Sequence, residues 1–172
     1  MADWPDQLFE VLKSAGVTQV AYVPDAGHAR LIERVESDAA MRGIVLTTEE
    51  EGVALACGAW LGGERAVLLM QSSGVGNCVN MFSLVANCRF PFLTLVTMRG
   101  EWAEFNPWQV PMAKATQSVL QAMGISVLRV THQNEVVETV QAAMDATFES
   151  DQAVAVLLSQ QLIGRKSWLR SK

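Results

Sequence analysis

The chain has 172 residues, half of them hydrophobic and 18% charged, with a net charge of −5. That length suits one domain with a sizeable core, the composition is globular rather than disordered, and the acidic balance argues against nonspecific nucleic-acid binding. No run of about 18 apolar residues marks a membrane span. The cysteines Cys57, Cys78 and Cys88 form no CxxC pair, and the opening MADWPDQLFE lacks an apolar signal core. These features predict reduced, buried thiols in a cytoplasmic chain. His28 and His132 sit in no ligand spacing, so no metal site is expected on this chain.

In chain order, residues 3–15 have helical periodicity and stop at Gly16, a residue suited to the position just past a helix. TQVAYVP reads as the first strand, and its end, VPDAGH, offers two polar groups. Asp25 fits a turn or a helix cap, and His28 fits either a solvated loop or a site. A helix over 29–37 leads to the second strand, GIVLT, and then to TTEEEG at the head of a helix over Glu49–Leu61. Thr48 and Glu51 have the spacing of a capping box, and acids in a first turn suit the helix dipole, which accounts for Glu50 and Glu51. Glu49 differs. Helical spacing puts Gly52, Val53, Ala56, Ala59 and Trp60 on its side, and three of these are tiny, so something can approach that face closely. A carboxyl at such a strand–helix junction is partly desolvated, a setting in which carboxyl groups share protons near neutral pH.

The third strand, RAVLLMQ, runs into QSSGVGN, which is neither a Walker A motif nor GxGxxG. It reads as a tight turn or as backbone approached by a ligand or a second chain, ahead of a helix over 77–88. PFLTLVT is the fourth strand. The stretch 98–112, MRGEWAEFNPWQVPM, is long and irregular, and its length marks it as functional. A helix over 114–123, the strand SVLRVT, a helix start at His132 leading to residues 135–148, and the strand QAVAVLLS complete the pattern. The end, GRKSWLRSK, holds four of the thirteen basic residues and reads as a docking segment or a solvated tail. Strands that are apolar throughout, alternating with helices, predict a three-layer, doubly wound, flavodoxin-like α/β fold of about six parallel strands, one domain over 1–172. Sites in such folds lie at the carboxyl ends of the strands, where every polar stretch named above falls.

Taken together and in order, TTEEEGVALACGAWLGGERAVLLMQSSGVGNCVN, PFLTLVTMRGEW, QVPMAKATQSVLQAMGI and the early VPD resemble the pyrimidine-binding domain of thiamine-diphosphate enzymes. Within that family the likeness is to the α subunit of sulfopyruvate decarboxylase and the matching half of phosphonopyruvate decarboxylase, and it takes in most of the chain. The resemblance implies the thiamine-diphosphate-binding fold and decarboxylation of a 2-oxo acid. The family's catalytic glutamate lies nine positions before a helix glycine, and counting back from Gly58 gives Glu49, which would activate the cofactor's aminopyrimidine. Asp25 matches the VPD aspartate near the reacting centre, and Ser73, Gly74, Gly76 and Asn77 match the SGxGN turn of the cofactor site. His28, Arg99 and Gln109 are the candidates for substrate contact, Arg99 through its pairing with tetrahedral oxyanions. Arg99 reads equally as an ion pair with Glu101 or Glu104.

Val110 follows Gln109 where phosphonopyruvate decarboxylases carry a histidine, so the expected substrate is 3-sulfopyruvate, giving sulfoacetaldehyde and CO2. The Gly-Asp-Gly motif of the family's metal-binding domain does not occur in these residues. A β subunit carrying that motif, and with it Mg2+, is therefore the expected partner, facing the Trp102 and Trp108 loop, with a homo-oligomer when the chain is alone. Two rival expectations stand: a noncatalytic flavodoxin-like binding or scaffold module whose strand-end glycines only make turns, and the same domain acting on phosphonopyruvate or another 2-oxo acid.

Overall fold

The computed structural model of the protein describes residues 3–164. Six strands, β1 (Val17–Tyr22), β2 (Arg42–Val45), β3 (Arg65–Gln71), β4 (Phe92–Thr97), β5 (Ser126–Val130) and β6 (Ala153–Leu158), pair in parallel in the order β2-β1-β3-β4-β6-β5. The apolar runs bury both faces of the sheet. Val67 and Leu69 of β3, Leu93 and Leu95 of β4, and Val154, Val156 and Leu158 of β6 join one core. Leu68, Met70, Phe92, Val96, Ala155 and Leu157 of the same strands join the other, which is the period-2 alternation of a pleated strand.

Helices α1 (Trp4–Ser14), α2 (Ala29–Glu36) and α7 (Val136–Phe148) cover the first face, and α3 (Glu49–Leu61), α4 (Ser72–Cys78), α5 (Phe82–Cys88) and α6 (Val110–Ala122) the second. A short α8 (Gln160–Ile163) follows β6. Among the described residues no helix is long and apolar enough to cross a membrane. α1 starts on the Asp3 carboxylate, which accepts from Trp4 N at 2.9 Å, and stops at Gly16, whose φ of +73° favours glycine. The connections leaving β1 and β3 pass to opposite faces, so their carboxyl ends border one switch point of the winding, and β4 and β6 border a second.

The six strands and the fold class follow the sequence pattern, but several local expectations do not hold. QSSGVGN is not a turn: α4 begins at Ser72, directly after β3, and the single helix expected over 77–88 is two, α4 and α5. Thr48 makes no side-chain cap; Glu51 instead accepts from Thr47 N at 2.9 Å, one residue out of register. Trp60 turns away from the Glu49 face to stack on Phe148 at 6.4 Å, and Cys57 is buried in its place. Cys57 and Cys78 are buried, and burial pushes their thiols up to about 11 and about 12, but Cys88 is exposed. α6 starts at Val110, four residues before the expected start, and the basic GRKSWLRSK beyond Gly164 lies outside the described residues. The small residues of α3 serve its close approach to its own sheet. A Cβ on Gly52 would lie 2.8 Å from a Leu46 methyl and nearer still to one of Leu68, whereas Gly58 faces open space.

The stretch after β4 is ordered by a buried polar network. Arg99 Nε and Nη2 each donate to the Glu104 carboxylate at 2.7 Å, with side-chain exposures of 9% and 4%. Glu104 also accepts from Gly100 N, Asn106 N and Gln160 Nε2. Gln160 Oε1 in turn accepts from Glu101 N and Trp102 N, and Glu101 pairs with Arg129. Gly100, at φ +82°, has no room for a side chain, because a Cβ would lie 2.5 Å from the Gln109 carbonyl oxygen. The guanidinium of Arg99 holds the Glu104 carboxyl down at about 2.

Two predictions follow from the packing. Gly52→Val should lower stability by about 1–3 kcal/mol through overpacking, and Gly58→Ala should raise it by about 0.5–1 kcal/mol, both measured by urea unfolding. Glu104→Gln leaves a buried guanidinium without its partner charge and should cost about 3 kcal/mol at neutral pH. Because the Glu104 pKa is depressed on folding, the stability it contributes is present above the ordinary value of 4.5 and lost as pH falls towards about 2. The gap in melting temperature between wild type and Glu104→Gln should therefore be full at pH 7 and close across that window.

Candidate active site

Glu49 is the first residue of α3 and 8% exposed, while Glu50 and Glu51 beside it are exposed. Its Oε2 accepts from Asn77 Nδ2 of α4 at 2.8 Å. Gly74, one helical turn before Asn77, lies against the same carboxylate: a Cβ there would stand 2.5 Å from Glu49 Cδ and 2.6 Å from Cγ. Glu49 is thus held by one amide and seated on a glycine, and its Oε1 accepts no hydrogen bond among the described residues. Gly76 does a different job, since a Cβ on it would meet Met112 Sδ of α6 at 3.3 Å.

A second carboxylate stands at the end of β1. Asp25 Oδ2 accepts from Thr97 Oγ1 at 2.6 Å and Gly27 N at 3.1 Å, and Oδ1 accepts from Gln71 Nε2 at 3.1 Å. Ser73 Oγ donates to Gln71 Oε1 at 3.0 Å, so the chain of bonds runs Ser73–Gln71–Asp25–Thr97 across the ends of β3, β1 and β4. Burial pushes the Asp25 carboxyl up, but the hydrogen bonds it accepts from the Thr97 hydroxyl and the Gln71 and Gly27 N–H groups hold it below the ordinary carboxylate range. Helix α4 links both carboxylates, Glu49 through Gly74 and Asn77, and Asp25 through Ser73. A cleft of about 500 Å3 opens beside Asp25, lined by Pro24, Ala26, Ile32 and Val45 among others.

The structure therefore brings Glu49, Gly74 and Asn77 together, and Asp25 with Ser73. His28 is not a solvated loop residue: it is 1% exposed behind the Asp25 turn. Arg99 takes the ion-pair geometry with Glu104, while Glu101 pairs with Arg129. Gln109 closes a 3-10 turn at Pro107–Gln109, with its side-chain oxygen buried and without a hydrogen-bond partner among the described residues. His132 heads a 3-10 turn and donates its N–H to Glu135 at 3.2 Å. Two residues escaped the sequence reading, Gln71 and Thr97. Their signal was available, since each is the polar residue that ends a largely apolar strand. Chemically, the edge presents a buried carboxylate with an open acceptor position beside a second carboxylate held ionised by hydroxyl and amide donors. That is a pair suited to holding and moving protons.

No protein-family model matches the chain. It is 34% identical over 157 residues to the sulfopyruvate decarboxylase subunit alpha of Methanothermobacter thermautotrophicus, covering 91% of this chain and 95% of that one. It is 30% identical over 154 residues to the subunit of the same name from Methanococcus maripaludis, covering 89% and 92%. Phosphonopyruvate decarboxylase of Streptomyces viridochromogenes is 44% identical over 94 residues, 54% of this chain and 24% of that protein. Among solved structures, the 2-oxoglutarate:ferredoxin oxidoreductase of Magnetococcus marinus superposes with a TM-score of 0.77 over 99% of this chain at 13% identity, a likeness of fold in which this chain spans 34% of the larger one. The chain belongs to the sulfopyruvate decarboxylase subunit alpha family.

Proposed function

We propose that this chain is the pyrimidine-binding α subunit of a thiamine-diphosphate-dependent decarboxylase that converts 3-sulfopyruvate to sulfoacetaldehyde and CO2. The observation that carries the reading is the setting of Glu49. In a chain similar along nearly all its length to sulfopyruvate decarboxylase subunit alpha, one of three adjacent glutamates is buried, held by Asn77 and seated on Gly74. The residues fit an aminopyrimidine. Glu49 Oε1, which accepts no hydrogen bond among the described residues, would hold a proton at a ring nitrogen. When bound, thiamine diphosphate supplies the electron sink that loss of CO2 requires. Asn77 orients the Glu49 carboxylate, and Asp25, kept ionised by Thr97 and Gln71, stands as a second proton-handling group at the same edge. In this reading residues 1–172 form one domain, and the diphosphate and its Mg2+ belong to a β subunit carrying Gly-Asp-Gly, a division consistent with relatives named as a subunit.

The scaffold alternative assigns the strand-end glycines to turns, and that premise fails for Gly74, which lies inside a helix and against a carboxylate. A phosphonopyruvate substrate draws on the higher local identity to the Streptomyces enzyme. Arg99, bound to Glu104, serves in this reading to order the loop rather than to receive the substrate anion.

Purified alone, the chain should bind thiamine diphosphate weakly and turn over nothing; with a Gly-Asp-Gly-bearing β subunit, the cofactor and Mg2+ it should release CO2 from sulfopyruvate faster than from phosphonopyruvate. In that complex Glu49→Gln should keep the fold and cut turnover by about 100-fold or more, while Glu50→Gln and Glu51→Gln leave it near wild type. A crippled Glu50→Gln instead would move the catalytic role off Glu49. Trp108, 86% exposed on the loop that also shows Trp102 at 41%, is the expected anchor for the β subunit. Trp108→Ala should weaken association about 30-fold by calorimetry, the scale of a tryptophan hot spot.

A further inference from the structure

His28 is walled in: 1% of it is exposed, and its Nε2 lies 3.1 Å from the Leu95 carbonyl oxygen of β4. A carbonyl accepts and never donates, so Nε2 carries the hydrogen. The neutral ring then has its lone pair on Nδ1, and Nδ1 is buried without a hydrogen-bond partner among the described residues. Buried polar atoms are almost always paired, and an orphan costs about 1–3 kcal/mol. This one sits in the turn that carries Asp25, where His28 N–H donates to the Asp25 carbonyl at 3.2 Å. The charged group acting on the ring is the Asp25 carboxylate; β3 and β4 present the Met70 and Leu95 backbone to it. Burial pulls the imidazole below its ordinary pKa against these groups, so the ring is neutral at pH 7.

Resting on the decarboxylase reading above, we propose that His28 is a positioning residue for Asp25. Pinned to β4, the ring fixes how the turn presents the Asp25 carboxylate to the strand ends. Thr97, Gln71 and Gly27 all donate to that carboxylate, and a turn displaced from β4 would misalign those three bonds.

The chain has two histidines, so its imidazole spectrum holds two signals, with exposed His132 as an internal control. Nitrogen-15 NMR of the isolated full chain should show His28 with hydrogen on Nε2 at pH 7 and a titration midpoint below the ordinary imidazole value. Asp25→Asn removes the charge that raises it, so the His28 midpoint should fall further. In the αβ complex His28→Gln can still donate an amide hydrogen to Leu95 but cannot titrate. It should keep its melting temperature and KM, lose about 10-fold in kcat through misplacement of Asp25, and shift the acid limb of the pH profile. A His28 midpoint at the ordinary imidazole value that ignores Asp25→Asn overturns the proposal, as does a His28→Gln complex with unaltered kcat and pH profile. The NMR arm needs no turnover, so a complex inactive on sulfopyruvate would count against the function and leave the His28–Asp25 coupling to be decided separately.

Discussion

The contact between the Glu49 carboxylate and the backbone of α4 constrains everything around it. A carboxylate can be buried at the start of α3 because a helix with no side chain at position 74 lies against it and an amide from position 77 meets it. For that to happen α4 has to begin as β3 ends, which leaves no room for a connecting loop and places Ser73 over Gln71. The same short helix therefore joins the ends of β1, β2 and β3, and the two carboxylates are set by one rigid piece of backbone rather than by two mobile loops.

The two switch points of the sheet are used in opposite ways. Between β1 and β3 the edge carries polar side chains, with Gln71 of β3 donating to Asp25 beyond β1. Between β4 and β6 the chain fills the crevice itself, using Arg99, Glu104 and Gln160. A buried ion pair is a costly filler compared with apolar side chains. Here it satisfies backbone N–H groups at Gly100, Glu101, Trp102 and Asn106, which an apolar plug would have left unpaired. It fixes one path for a long loop without a helix or strand to guide it.

How much of this was legible varied with the range of the forces involved. RAVLLMQ is β3 to the residue, because an apolar run bounded by polar residues is a local signal of burial on both faces. Glu49 was separable from its neighbours by the helical face it heads. QSSGVGN was misread because glycine disfavours helix by propensity, and here packing against Glu49 overrides propensity. Gln160 was invisible, since its partners lie 56 to 59 residues away in the sequence. His28 looked like a loop residue for the same reason: its anchor, Leu95, is 67 residues distant.

The exposed loop aromatics have a consequence outside catalysis. Trp108 and Trp102, at 86% and 41% exposure on one loop, present apolar surface of the sort that chaperones and proteases recognise on unassembled chains. A cell making more of this chain than of its partner would carry the surplus with that surface uncovered. Quality control would then trim the excess, and the ratio of the two polypeptides would be set by degradation of orphans as well as by synthesis.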